Sequence, residues 1–194
     1  LTGAAKEIFI IGGPNGAGKT TAARVLLRDI LDDIEFLNAD EIARRMSPDD
    51  PDSVALAAGR GLILRMRALV GQGRSFAFET TCSGRSYLRL LEQCKRDGWR
   101  ITLFYFWLPS AGYSAERVAR RVRQGGHSIP LEVIYRRYQA GVSNMRSLYL
   151  PLADEAEIYD NSDRQRRLIA VKYHGQPIEI LQPVCWAAIE EMSR

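Results

Sequence analysis

Residues 13–20 read Gly13-Pro14-Asn15-Gly16-Ala17-Gly18-Lys19-Thr20, a full match to G-x-x-x-x-G-K-[ST], and their flanks decide what the match means. Before them, Ile8-Phe9-Ile10-Ile11 is continuously apolar and mostly β-branched, as in a strand buried on both faces of a parallel sheet. After them, Ala23, Leu26, Leu27 and Ile30 recur at helical spacing. Strand, glycine loop and helix in succession predict a phosphate-binding P-loop. Its glycines let successive backbone N–H groups curl round a β-phosphate, and the helix N-terminus adds its positive end. Lys19 is expected to span the β- and γ-phosphates of ATP, the Thr20 hydroxyl to ligate Mg²⁺, and Thr21 to meet the α-phosphate. Gly13, Asn15, Gly16, Ala17 and Gly18 complete the expected cradle.

The rest of the chain repeats the alternation. Short strands are predicted at Glu35 to Asn38, Ser75 to Thr80, Ile101 to Trp107 and Ala156 to Tyr159. Helices are predicted at Val54 to Val70, after caps at Asp52-Ser53, and at Tyr87 to Lys95, Ser114 to Val122 and Leu131 to Met145. Leu168 to Tyr173 and Ile178 to Leu181 flank His174-Gly175-Gln176-Pro177 as a β-hairpin, and a short helix follows through Trp186 and Ile189. The expectation is a three-layer α/β sandwich of the P-loop NTPase, kinase-like class, with a five-stranded parallel sheet and helices on both faces. Residues 1–194 form its single domain, with a helical lid near 113–147 and a C-terminal hairpin and helix near 167–194.

Composition narrows the surroundings. At 194 residues with 46% hydrophobic side chains, the core needs no metal or disulfide staple. Cys82, Cys94 and Cys185 lie at unrelated spacings, with no CxxC and two histidines in the chain, so they read as free thiols in a reducing cytoplasm. No apolar run approaches the roughly 18–20 residues of a membrane span, and the N-terminal segment lacks the layout of a signal peptide. The net charge of +4 argues little, but 23 of the 27 basic residues are Arg, the forked partner of phosphate and carboxylate. Arg117, Arg120, Arg121, Arg123, Arg136 and Arg137 share a stretch holding only two acids, Glu116 and Glu132. Alone, such a stretch is a solvated helix face; beside a P-loop it becomes a source of phosphate-binding arginines.

A P-loop leaves the reaction open. No NKxD-like segment reads a guanine, and the apolar run Ile101 to Trp107 ends in Leu108-Pro109 without the acid of a Walker B strand. Acids do close two neighbouring strands, Asp40 after Phe36-Leu37-Asn38-Ala39 and Glu79 after Ser75 to Phe78. Open α/β sheets bind ligands at such ends. In a small P-loop kinase, one acid there deprotonates the acceptor hydroxyl and another holds the acceptor.

Together, the Gly12-to-Thr21 loop, Asn38-Ala39-Asp40 lying 21 residues beyond Lys19, and Phe78-Glu79-Thr80-Thr81 resemble the zeta-toxin family of P-loop kinases. The resemblance continues through the arginine stretch to Tyr159-Asp160-Asn161-Ser162, most of the chain. It implies ATP- and Mg²⁺-dependent transfer of the γ-phosphate to a hydroxyl of a small metabolite, with a UDP-sugar such as UDP-N-acetylglucosamine as the expected acceptor. Asp40 matches the family's catalytic base, Glu79 and Thr81 its substrate-binding acid and threonine, and Lys19 and Thr20 its P-loop pair. The family's phosphate-holding arginines transfer best to Arg117 and Arg121, with Arg136 or Arg137 from the next helix. Arg117, Arg120 and Arg121 stand at i, i+3 and i+4, so one or two of them are expected to reach the same phosphate.

The sequence also departs from that pattern. The arginine expected two residues after the threonine is replaced by Ser83-Gly84-Arg85, moving the diphosphate contact to Arg85 or removing it. His127 reads as a structural histidine or cap, Asp160-Asn161-Ser162 as a turn near the adenine, and Trp99, Trp107 and Trp186 as core. Two rival classes stay open. One is a kinase for another metabolite or for a nucleic-acid end, nucleic acid being the less favoured partner. The other is an ATP-binding module controlled by an antitoxin-like protein partner.

Overall fold

The computed structural model describes residues 6–193 apart from 32, 52, 126, 127 and 164. Its sheet is built from β1 (Glu7–Gly12), β2 (Glu35–Leu37), β3 (Phe76–Thr80), β4 (Arg100–Trp107), β5 (Glu155–Asp160), β6 (Arg167–Lys172) and β7 (Glu179–Ile180), in the order β2-β3-β1-β4-β5-β6-β7. The first five pair in parallel. Their sequences explain why they sit inside: Ile8 to Ile11 and Ile101 to Trp107 are buried throughout, which only a strand covered on both faces requires.

The C-terminal hairpin is more than an appendage. β6 pairs antiparallel with β5 and β7 with β6, so the expected five-stranded sheet is extended to seven. The hairpin satisfies the backbone edge that β5 would otherwise expose.

Between strands run α1 (Lys19–Leu26), α2 (Arg28–Leu31), α3 (Ala39–Met46), α4 (Ala55–Gly71), α5 (Leu88–Arg96), α6 (Ala111–Arg123) and α7 (Leu131–Asn144). A π-helical turn, Met145–Tyr149, continues α7 into α8 (Leu150–Leu152), and α9 (Pro183–Glu191) closes the described chain. The helix expected through Ile30 is broken at Leu27 into α1 and α2, and α3 was not expected. Asn38 follows β2 and caps α3, its Oδ1 accepting from the backbone N–H of Asp40 at 2.8 Å, so Asp40 lies in a helix's first turn. Ile30 packs toward Phe9 and Phe104 on one face of the sheet. At the chain's other end, Met192, just after α9, meets Tyr138 of α7, and Glu190 of α9 pairs with Arg146 of the π turn. Arg65 of α4 forks onto both carboxylate oxygens of Glu35 at 2.7 and 2.6 Å, tying α4 to β2 and holding that carboxyl below its usual range.

The register brings the loops together. Gly12 lies beside Thr80 on one side and Tyr105 on the other, and Leu37 lies beside Phe78. The P-loop, the loop after β3 and the start of α3 therefore share the carboxyl edge of the sheet. Behind them, α7 presses on the β3–α5 loop so closely that a Cβ on Gly141 would stand 2.4 Å from the Thr81 carbonyl oxygen. The three tryptophans are core, 3 to 7% exposed. Among the described residues no helix is long and apolar enough to cross a membrane. His127 and Asp52 fall outside the described residues.

Two measurements test this packing. Gly141→Ala should destabilise by about 1–3 kcal/mol, since a methyl there must displace backbone; Gly59→Ala, where no neighbour lies within 4 Å, should stabilise α4 slightly. Thermal melts should move the two midpoints in opposite directions. Burial raises the Cys82 thiol to about 12 and Cys94 to about 11, so the thiolate fraction of both stays negligible at pH 8. Iodoacetamide at that pH should label half-buried Cys185 well before either of them, and all three only after unfolding.

Candidate functional site

The P-loop turns on Gly16 and Gly18, at φ 74 and 72, a region costly for other residues. Gly16 meets a second demand. A Cβ there would stand 2.9 Å from the Ser114 carbonyl oxygen and 3.0 Å from Arg117 Cβ, because α6 lies against the loop. Gly18 precedes α1, whose first turn has no side-chain cap. The N–H groups of that turn are thus left for an anion, whereas Asn38 caps α3 and Ser110 caps α6. Lys19 is buried, its Nζ donating to the Pro14 carbonyl at 3.0 Å. Asn15 is buried too, and its Oδ1 has no hydrogen-bond partner among the described residues.

Glu79 stands at the centre. Its Oε2 accepts from the Thr20 hydroxyl at 2.6 Å and from Asn38 Nδ2 at 3.0 Å, while Oε1 lies 3.6 Å from Lys19 Nζ. Asn38 in turn holds the backbone of Asp40. Bonds therefore run from the P-loop through Glu79 and Asn38 to the helix turn that carries Asp40, whose own side chain is exposed. Burial pushes the phenol of Tyr87, just before α5, above its usual range.

A cavity of about 320 Å³ opens between the P-loop and α6. Lys19, Thr20, Thr21 and Glu79 line one side, and Arg117, Arg120 and Arg121 the other. All three arginines border it. Arg117 donates to the Asn161 carbonyl and lies 5.9 Å from the Tyr113 ring. Arg136 and Arg137 do not line this cavity; Arg136 is exposed on α7. Arg85 lies apart from it as well, in a groove between α4 and α5. Thr81 shares a hydrogen bond with Ser83 at 2.8 Å in the β3–α5 loop.

Several polar residues that build the site gave no sequence signal as such. Ser114 donates to the Asn15 carbonyl and Asn161 Nδ2 to the Ala17 carbonyl, clamping the P-loop from α6 and from the loop after β5. Asn144 Nδ2 reaches the Cys82 and Ser83 carbonyls at 3.0 and 3.1 Å, and the Tyr149 hydroxyl the Gly84 carbonyl at 2.8 Å. Helix α6 thus grips the loop on the phosphate side, and α7 with its π turn grips the loop carrying Thr81. Asn38 had a visible signature, an Asn just before an acidic first helical turn, and Asn161 sat in the Asp160-Asn161-Ser162 turn noted in the sequence, though without its P-loop partner.

Comparison with known proteins bears on the fold. Residues 8–141 match the AAA domain family. An uncharacterized protein of Haemophilus influenzae is 30% identical over 133 residues, covering 69% of this chain and 92% of that protein. Among solved structures, the AvrRxo1-ORF1:-ORF2 complex with ATP is similar over 98% of this chain, with a TM-score of 0.74 and 15% identity. This chain spans 64% of the chain it matches there. The PezAT chromosomal toxin-antitoxin system of Streptococcus pneumoniae is similar over 98% of this chain and 86% of the matched one, with a TM-score of 0.64 and 14% identity. At these identities the likeness is one of fold, and it is the α/β P-loop fold that the zeta-toxin resemblance implied. Matched across residues 8–141 and built round a P-loop at the carboxyl edge of a parallel sheet, the chain belongs to the AAA domain family.

Proposed function

We propose that this protein moves the γ-phosphate of ATP to a hydroxyl of a small metabolite, with a nucleotide sugar such as UDP-N-acetylglucosamine as acceptor. The observation that supports the reading is the contact chain Thr20–Glu79–Asn38, which ties the P-loop to the helix turn that carries Asp40. The fit to a nucleotide rests on the uncapped first turn of α1, the inward Lys19 and the unpartnered Asn15 Oδ1. The Thr20 hydroxyl and the Glu79 carboxylate are oxygen donors of the kind a small hard cation takes, and Mg²⁺ bound there would offset negative charge on the phosphates.

In this reading the chain's own groups do three things. Asp40, exposed and free of ion pairs among the described residues, accepts the proton of the acceptor hydroxyl. Lys19 and the arginines of α6 stabilise charge on the transferring phosphoryl group, Arg117 and Arg121 foremost, joined by Arg120 because it borders the same cavity. Thr81 and Glu79 hold the acceptor, and Arg85 is the nearest candidate for its diphosphate; Arg136 and Arg137 would serve only after a shift of α7. Closure of α6 and α7 would exclude water and limit hydrolysis of ATP. An antitoxin-like protein partner is part of the proposal, supported by the fold shared with a toxin-antitoxin system.

Incubation with ATP, Mg²⁺ and a panel of nucleotide sugars, followed by mass spectrometry, tests the reading. Asp40→Asn should lower transfer by about 10²–10⁴-fold, the range of a general base, with ATP affinity almost unchanged. Full activity in that variant would sink the assignment of the base. Arg117→Ala should reduce turnover by up to about 10³-fold, as for an arginine finger. A reduction confined to KM would instead make Arg117 a binding residue.

A further inference from the structure

The arginine that the acceptor reading singled out, Arg85, belongs to a larger feature. A groove of about 610 Å³ runs between α4 and α5, and Arg67, Arg85, Arg89 and Arg96 line it with Ile63 and Leu90. No acid lines it. Asp97 stands near its far end and is engaged by Gln93 at 3.0 and 3.1 Å, while Arg96 donates to Gln93 at 2.8 Å. The guanidinium groups of Arg67, Arg85 and Arg89 have no hydrogen-bond or ion-pair partner among the described residues. Elsewhere on the surface some arginines are engaged, Arg65 on Glu35, Arg146 on Glu190, and Arg167 on Asp160 and Asp163, and others such as Arg28, Arg44 and Arg136 are not, among the described residues; what sets the groove apart is four arginines on one lining without an acid.

Spacing limits what these charges can serve. Arg85 precedes α5 by three residues and lies four beyond Thr81, so the groove starts at the loop on the acceptor side of the site. From Arg89 to Arg96 the helical rise adds roughly 10 Å, and Arg67 faces them from the opposite wall. A single diphosphate reaching Arg85 leaves the others unneutralised, so the matching ligand carries anionic groups in series. All four cations are Arg, with no Lys among them. Guanidinium both forks onto phosphate oxygens and offers a plane on which an unstacked base can lie. We propose that the α4–α5 groove binds single-stranded nucleic acid, with Arg67, Arg89 and Arg96 on successive phosphates or stacked on bases. This surface goes beyond the phosphotransfer reading and holds whichever acceptor the enzyme uses.

The test is binding, read independently of catalysis. Fluorescence anisotropy with labelled dT₁₂ and rU₁₂, titrated from low to moderate salt, should show affinity falling with salt at a slope of about −0.7 per phosphate contacted, hence about −2 or steeper for three contacts. Arg67→Ala/Arg89→Ala/Arg96→Ala should weaken binding at least tenfold and flatten that slope, with ATP binding and melting temperature unchanged. The charge-matched Arg24→Ala/Arg28→Ala/Arg123→Ala variant, all exposed sites away from the groove, should bind oligonucleotide nearly as the parent does. Absence of binding even at low salt overturns the proposal. So does equal loss in both triple variants, or displacement of the oligonucleotide by polyglutamate at lower concentration than by unlabelled dT₁₂, which would mark an acidic polypeptide as the occupant. A kinase inactive on every sugar but still binding dT₁₂ through the groove would remove the nucleotide-sugar acceptor and leave this surface standing.

Discussion

One half-buried carboxylate holds the catalytic edge together. Glu79 accepts from Thr20 and Asn38 and faces Lys19, so three separate segments, the P-loop, the end of β2 and the end of β3, meet on two oxygen atoms. A charge with so little solvent must be paired and hydrogen-bonded, and Lys19, 7% exposed, is equally in need of a partner. The same pairing that makes the edge cohesive keeps the ammonium within the cavity. Arrival of phosphate gives Lys19 a second anion, and Glu79 is then retained by Thr20 and Asn38.

Around this centre the arginine-bearing helices divide their contacts. α6 touches the phosphate loop through Ser114 and the Asn161 carbonyl through Arg117, and α7 touches the β3–α5 loop through Gly141 and Asn144. A single helical hairpin therefore rests on both loops. Any change in its angle is felt at the donor and acceptor sides together, because packed interfaces of this kind shift as units rather than deforming locally.

How much of this could be read beforehand depended on the range of the interaction. The P-loop, the buried strands and the placement of Asp40 and Glu79 at neighbouring strand ends followed from local pattern, since run length, glycine spacing and parallel pairing leave few alternatives. The hairpin was visible but its partner was not: β6 joins β5 through pairing that alternation in one strand does not specify. The clamps were hidden for the same reason. Asn161 meets Ala17 across 144 residues and Asn144 meets Cys82 across 62, and a lone polar residue in a helix or turn reads as solvent-facing until its distant partner is known. Helical spacing sets Arg117, Arg120 and Arg121 close together on α6, and all three border the cavity.

The way the sheet stops has a meaning of its own. Beyond β5 the chain adds β6 and then only the two residues of β7, both exposed, before Pro183 opens α9. A long free strand there would offer its unused N–H and C=O groups to any other extended chain. Two residues and a nearby proline offer almost none, so the parallel core is sealed against growth at that side.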